Sequence, residues 1–505
     1  MMRSASVRRM TENACGGSAK NKWEAGDKDM TELPEAYLKR MEGLLGEAYP
    51  AFLASYDAPA ARALHTGAKM QPARLAALLG ERVSPAPIAP DAFYFHTSES
   101  VGGNPLHHAG AFYMQEPSAM LPVLCAQIRS GERVLDLCAA PGGKSTQIAN
   151  RLGEGGLLVA NEYVGNRCVI LAGNLERMGV REGVVTNTDA ATLARRYPAF
   201  FDTVFIDAPC SGEGMFRREP AAVAEWSPDN VAMCAARQRE ILDRGAETVR
   251  PGGCLVYSTC TFSPEENEEN VLWFLRTHPA YFPEESPEAV RRVTAPGLCP
   301  EDSDLGRAIA GTARRAYPHL APGEGQFMIR LRRASDDTSV PVSAITEVPR
   351  EKKKGHAKEK ESNVLRPLTR EEETVFGKFL RDVGISPETL PTPCVFKGGI
   401  SLLAADCPTP PEVTYARGVY AGTVEKGRLI PGHFFFSAYG SLFARRVELA
   451  PDDPRLLAYL RGETFPCTFD DGWAVVTVAG APLGGIKVSG GVAKNHYPKG
   501  LRLRA

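Results

Sequence analysis

No continuous apolar stretch in this 505-residue chain is long enough to cross a bilayer, which argues against a membrane protein. The first thirty residues are polar, rich in Lys, Arg, Gly and Asn, and lack the apolar centre of a secretory signal, so export is not expected. None of the twelve cysteines forms a C-x-x-C pair with another, and they are scattered along the chain. They read as reduced thiols in a cytosol rather than as a disulfide framework or a zinc site, and no metal is expected. Neither sign of charge is in excess: 59 Lys and Arg stand against 60 Asp and Glu. A uniformly basic nucleic-acid binder is therefore excluded, and any such affinity must come from local patches. No heptad pattern is present, and a monomer is expected.

What is present is ordinary for a soluble globular enzyme, with 43% hydrophobic and 24% charged residues. The length suggests about three folding units. Residues 1–29 read as a loose leader. A helical pattern then opens near Leu33 and Pro34 with Tyr37, Leu38, Met41, Leu44 and Leu45 on one face, which reads as core. It belongs to an N-terminal region, 30–120, which carries Phe93-Tyr94-Phe95, His107, His108, Phe112 and Tyr113. Those aromatics suit either a base-stacking surface or an edge of the core with two satisfied histidines. From 121 to 335 short apolar runs alternate with helical segments: 133–137, 157–160, 184–186, 203–206 and 254–257. That alternation predicts an α/β domain, a doubly wound parallel sheet covered on both faces. Residues 336–362, with Lys352-Lys353-Lys354, have linker composition. Two small accessory units, 363–446 and 447–505, follow, rich in short strands and Gly or Pro turns.

The chemistry sits at the strand ends, where open α/β sheets bind ligands. The first strand runs into Cys138-Ala139-Ala140-Pro141-Gly142-Gly143-Lys144, whose small residues let backbone amides approach a ligand at a helix N-terminus. A phosphate-binding P-loop would need glycine where the chain has Cys138, and the G-x-G-x-x-G dinucleotide fingerprint is absent. A nucleoside-type cofactor without a pyrophosphate remains. Glu162, about 20 residues after Gly142, can accept hydrogen bonds from ribose hydroxyls, and S-adenosylmethionine (SAM) meets that need. Asp189 is placed either to accept from an adenine amine or to cap the next helix. The fourth strand ends in Asp207-Ala208-Pro209-Cys210 and the fifth in Tyr257-Ser258-Thr259-Cys260, so two cysteines can face one pocket with thiols exposed to a ligand. Cys125, Cys168, Cys234 and Cys254 read instead as small buried hydrophobes.

The segments Asp136 to Thr146, Asp207 to Arg218 and Tyr257 to Asn267 closely resemble the Sun-type RNA cytosine-5 methyltransferases. Gln115-Glu116-Pro117-Ser118, Arg167 with Asn174 and Arg177, and Pro318-His319 with Gly323-Glu324-Gly325 match as well. The end of the chain, Gly484 to Arg502, looks like the PUA-type RNA-binding module of the bacterial RsmF-like branch, which acts on small-subunit ribosomal RNA. The resemblance implies a Rossmann-like methyltransferase domain between an N-terminal RNA-binding region and C-terminal accessory domains. It implies a cytoplasmic enzyme with SAM held by 138–144, Glu162, Arg167, Asp189 and Asp207, and 16S rRNA or the small subunit as partner. Cys260 is then the nucleophile that adds to carbon-6 of cytosine, and Cys210 assists its release. Asp207 holds the cytosine edge, and Lys144 approaches the pyrimidine. The base must be single-stranded or extruded. Arg217, Arg218, Lys494, Lys499, Arg502 and Arg504 are candidates for phosphate contacts or plain solvated charges. Three alternatives stay open: a transfer-RNA enzyme of the same chemistry, a non-catalytic RNA-binding assembly factor, and a DNA cytosine-5 methyltransferase, whose nucleophile Pro209-Cys210 resembles but whose acidic motif Glu269-Asn270-Val271 does not supply, since it follows Cys260 in an expected helix rather than an earlier strand.

Overall fold

A computed structural model describes residues 33–97, 101–336, 365–405, 407–408 and 413–503. The leader, nearly all of the linker with its lysine run, and Arg504 lie outside the described residues.

Helix α1 (Glu35–Leu45) forms where Tyr37 and Met41 recur one turn apart, and it stops at Gly46, whose φ of 51° an L side chain resists. Both apolar side chains are fully buried, each worth about 2 kcal/mol. The Tyr37 ring packs edge-on against Phe216, which pins the helix beside the Cys210 loop. Four short strands, β1 (Ala63–Thr66), β2 (Val83–Pro85), β3 (Ala92–Phe95) and β4 (Phe112–Gln115), make an antiparallel sheet in the order β2-β3-β1-β4. Phe93, Phe95, Phe112 and Tyr113 are buried, and burial pushes His107 down to about 3. Of the two readings, the core edge holds for these four rings, while Tyr94, His107 and His108 are half-buried.

The five expected strands are all present: β5 (Arg133–Asp136), β6 (Leu157–Asn161), β7 (Gly183–Thr186), β8 (Phe201–Asp207) and β9 (Val249–Thr259). They are parallel in the order β7-β6-β5-β8-β9. Alternate residues feed opposite faces: Val134 and Leu158 pack with Ile148 and Leu171, while Leu135 and Val159 pack with Leu193 and Leu242. The helices that cover those faces are α2 (Gly143–Leu152), α3 (Gly165–Met178), α4 (Ala190–Arg196), α5 (Pro228–Thr248) and α6 (Glu268–Thr277). The order reverses between β5 and β8, so the ligand crevice lies at their carboxyl ends.

Beyond β9 the sheet turns antiparallel. Strands β10 (Tyr281–Glu284), β11 (Ala295–Pro296), β12 (Arg314–Ala316) and β13 (Gln326–Arg333) extend it through a β13–β9 pairing. The first accessory segment builds a third sheet from β14 (Arg366–Pro367), β15 (Pro393–Phe396), β16 (Gly399–Leu402), β18 (Val419–Glu425) and β19 (Arg428–Pro431), with helices α7 (Arg370–Val383) and α8 (His433–Tyr439). Its strand β17 (Thr414–Arg417) instead pairs antiparallel with β7 and closes the free edge of the central sheet. The last sheet comprises β20 (Arg446–Leu449), β21 (Phe465–Pro466), β22 (Gly472–Val478), β23 (Ala481–Ser489) and β24 (Val492–Asn495). It shares one core with the N-terminal sheet: Leu64 and Phe112 belong to the same cluster as Tyr459 and Ile486. The buried Lys69 ammonium ties these units together, donating to Ala109 O, Arg177 O and Ser437 Oγ at 2.9, 2.8 and 2.6 Å. No helix among the described residues is long and apolar enough to cross a membrane.

Candidate active site

Parallel pairing of β8 with β9 sets Asp207 opposite Ser258, so the loops after the two strands leave the sheet side by side. Their cysteines meet: the Cys210 and Cys260 Sγ atoms are 3.2 Å apart, and both residues are partly accessible. The surrounding backbone is tightly held. Gly214 N donates to Cys260 O at 2.9 Å, and a Cβ on Gly214 would fall 2.7 Å from Gly325 O, so only glycine fits between the loops. Phe262 N donates to the buried Glu213 carboxylate, which also takes Trp226 Nε1 and Arg40. The Cys210 thiol is pushed well above its ordinary range, first by its hydrogen bond with Cys260, then by burial, with the Glu266 charge adding to both. The 3.2 Å contact lets either sulfur donate to the other.

Beside the sulfurs lies a charge pair. Lys144 Nζ donates to Asp207 Oδ2 at 2.8 Å, while Asp207 Oδ1 accepts from Ser258 Oγ at 2.7 Å and Gln326 Nε2 at 3.1 Å. Burial alone would lower the Lys144 ammonium, but Asp207 outweighs it and Cys260 adds to the effect, so its affinity for the proton rises. The carboxylate is fixed from three sides, and a cationic nitrogen sits next to the nucleophile candidate.

The loop 138–143 is shaped by its neighbours. Gly142 has φ 110°, and a Cβ there would press on Leu171. Arg167 donates to Ala140 O at 2.8 Å and pairs with Glu162 at 3.4 Å; Asn174 donates to Pro141 O at 2.9 Å. Ala139 N is taken by Asn161 O, and the Cys138 thiol, raised by burial, faces the core. The loop thus offers backbone, and Arg167 positions it. Two buried acceptors near the start of α2 have no protein partner: Asp136 Oδ1 and Gln115 Oε1. Asp136 is bound to Ser145, and Gln115 lies 3.3 Å from where a Gly143 Cβ would stand. Burial pushes Asp136 up to about 7. A ligand with a cationic amine, a carboxylate for the helix N-terminus and ribose hydroxyls for Glu162 answers these groups, so the residues present fit SAM. Glu162 accepts from Val164 N at 2.8 Å and retains lone pairs for hydroxyls. Asp189 accepts from both Thr192 N and Thr192 Oγ1, which makes it the cap of α4. Among the described residues no group of three or more His, Cys, Asp or Glu could hold a metal ion.

Some residues behave otherwise than their sequence suggests. Arg217 is neither a phosphate contact nor a solvated charge: its guanidinium bonds Glu324 at 2.7 Å, Ser55 O and Gly323 O, with both side chains buried. Arg218 reaches the same Glu324 and Ala61 O. These two arginines join the N-terminal region to the catalytic loops. Arg502 Nε is turned inward onto Tyr497 O. Cys125, Cys168, Cys234 and Cys254 are buried as expected. Ser258, Gln326 and Glu266 carry no role in the sequence reading. Ser258 lies inside a quoted motif; Gln326 is brought in only by the antiparallel return of β13.

Three family models match the chain: 16S rRNA methyltransferase RsmB/F over 123–332, the N-terminal domain of 16S rRNA methyltransferase RsmF over 33–117, and the methyltransferase RsmF PUA domain over 446–503. Ribosomal RNA small subunit methyltransferase F from Salmonella agona and from Escherichia fergusonii are each 35% identical over 322 residues, 61% of this chain. The match spans 65% of those relatives, just under two thirds of their length. A methyltransferase homolog protein from Pyrococcus horikoshii superposes with a TM-score of 0.53 at 27% identity, over 60% of this chain and 96% of its own. NSun6 from Pyrococcus horikoshii with SFG has the same TM-score at 21% identity, over 60% and 99%, a likeness in fold. With a Rossmann-like sheet at its centre and segments matching RsmF-type modules on either side, the chain is similar to the RsmB/F methyltransferases along most of its described length.

Proposed function

We propose that this chain transfers a methyl group from SAM to carbon-5 of cytosine in RNA, with 16S rRNA or the small ribosomal subunit as substrate, acting as a monomer in the cytoplasm. The observation that carries the reading is the 3.2 Å pair of Cys210 and Cys260 set beside the Lys144–Asp207 pair at the ends of adjacent strands. When bound, SAM supplies an electrophilic methyl group.

The chain's own residues do the rest. Carbon-5 of cytosine is a weak nucleophile, and the Cys260 thiolate corrects this by forming a bond to carbon-6, which places the ring electrons on carbon-5. Asp207, held by Ser258, Gln326 and Lys144, presents its carboxylate to the base edge as charge develops on the ring. After carbon-5 is methylated its proton leaves to water. The carbon-6–sulfur bond then breaks, its electron pair returns to Cys260, and the ring double bond re-forms. The Cys210 thiol stabilises the departing sulfur through its hydrogen bond. Neither ring atom can be reached inside a stacked helix, so the cytosine must be unstacked.

The test is bisulfite sequencing of RNA from cells lacking this chain, complemented with wild type or Cys260→Ala. Loss of one or a few small-subunit cytosine methylations, restored by wild type alone, is the expected result. Unchanged ribosomal RNA with altered transfer RNA would replace the substrate; no change in any RNA would overturn the reaction.

A further inference from the structure

Behind Cys210 stands a buried carboxylate that the mechanism above leaves unused. Glu266 Oε2 accepts from Ser211 N at 3.0 Å and Gln238 Nε2 at 2.7 Å; Oε1 accepts from Ser211 Oγ at 2.5 Å. Ser211, the residue after Cys210, is thus gripped at both backbone and side chain, and its hydroxyl also meets Thr261 Oγ1, beside Cys260, at 2.9 Å. One carboxylate therefore anchors both cysteine loops. Ser211 and Gln238, both neutral, hydrogen-bond the carboxylate, and the nearby Glu213 is paired with Arg40. Burial pushes Glu266 up to about 7, so its charge is present at pH 8. Across the sulfur pair stands the Lys144 ammonium, bonded to Asp207, which Ser258, two residues before Cys260, also holds.

We propose that Glu266 is a positioning residue that decides which cysteine carries the shared proton, clamping Ser211 and laying negative charge on the Cys210 side of the pair while Lys144 lays positive charge on the Cys260 side. The inference rests on the cytosine-5 reading, in which the two sulfurs must have different jobs. A negative group next to one thiol of a hydrogen-bonded pair drives the proton onto that thiol. Of the two sulfurs, Cys260 is then the one that gives up the shared proton, and Cys210 the one that keeps it and steadies its neighbour before attack and after release.

Glu266→Gln isolates the charge. The amide oxygen can take Ser211 N and Gln238 Nε2, and the amide nitrogen can donate to Ser211 Oγ, which turns its own proton to Thr261. Purified full-length chain without RNA is treated with iodoacetamide at pH 8, and labelling of each cysteine is followed by peptide mass spectrometry. Because the thiolate alone reacts, Cys260 of the wild type labels at least about tenfold faster than Cys210, and Glu266→Gln narrows that ratio about tenfold, one pKa unit. Ser211→Ala, which keeps the charge, leaves the ratio largely intact, and both variants are checked for an unchanged Tm. Equal labelling in the wild type, or a ratio that Glu266→Gln does not move, overturns the proposal. Methylation of RNA by the same wild-type preparation is scored separately: its absence would sink the functional reading, whatever the labelling shows.

Discussion

The sulfurs of Cys210 and Cys260 lie 3.2 Å apart although their residues belong to different strands' loops. Removing one therefore exposes the role of the other. Cys260→Ala abolishes methyl transfer and any covalent RNA adduct. Cys210→Ala permits addition but slows release, so a protein–RNA complex accumulates that survives denaturing electrophoresis. If Cys210→Ala instead eliminates every adduct, the nucleophile has been misassigned and the DNA-type arrangement gains.

Asp207 is held by Lys144, Ser258 and Gln326, and under the proposed reaction its charge is used as the base reacts. Asp207→Asn lowers kcat about 10²- to 10³-fold with little change in Tm. Gln326→Ala removes one hydrogen bond to a charged group, a loss of about 1.5–3 kcal/mol that lowers kcat about ten- to a hundredfold. Single-turnover methylation of a ribosomal RNA fragment measures both. Equal rates for Gln326→Ala and wild type would mean that this bond does not orient the carboxylate.

Arg315 and Glu268 form a fully buried ion pair that also takes Phe262 O and Leu298 N, directly behind the Cys260 loop. Glu268→Ala strands a buried guanidinium and costs about 3–5 kcal/mol. Replacing both partners, Arg315→Met with Glu268→Leu, recovers most of the loss. Urea unfolding at pH 7 checks the pair, and additive losses in the double variant would refute the coupling.

Glu176, on α3, lines a small apolar hollow with Leu175, Val180, Ala416 and Phe434, and burial pushes it up to about 7. The folded carboxyl holds its proton more tightly than the unfolded one, so its stabilising effect is complete below about pH 4.5 and is lost as pH rises through 7. Glu176→Gln accordingly leaves Tm near wild type at pH 5 and raises it at pH 8. A variant less stable than wild type at pH 8 would contradict this.

How far the sequence reaches differs from part to part. The five parallel strands were legible because each is a short apolar run, and a strand buried on both faces needs no alternation to be seen. The faces of α1 and the four buried cysteines followed from the same physics of burial. The antiparallel strands beyond β9 and the strand β17 were not legible, because their partners are set by chain return rather than by local composition.

The loop Cys138–Lys144, the cysteines and Asp207 were determined by sequence alone, since small residues and a reactive thiol at a strand end are local facts. Which charges were free was not. Arg217 and Arg218 look like phosphate ligands in one dimension, and only the approach of Glu324 shows them spent inside the protein. The pairing of two sulfurs, the three partners of Asp207 and the carboxylate behind Cys210 were likewise decided by tertiary structure, because each depends on residues distant in the chain meeting within a hydrogen-bond length.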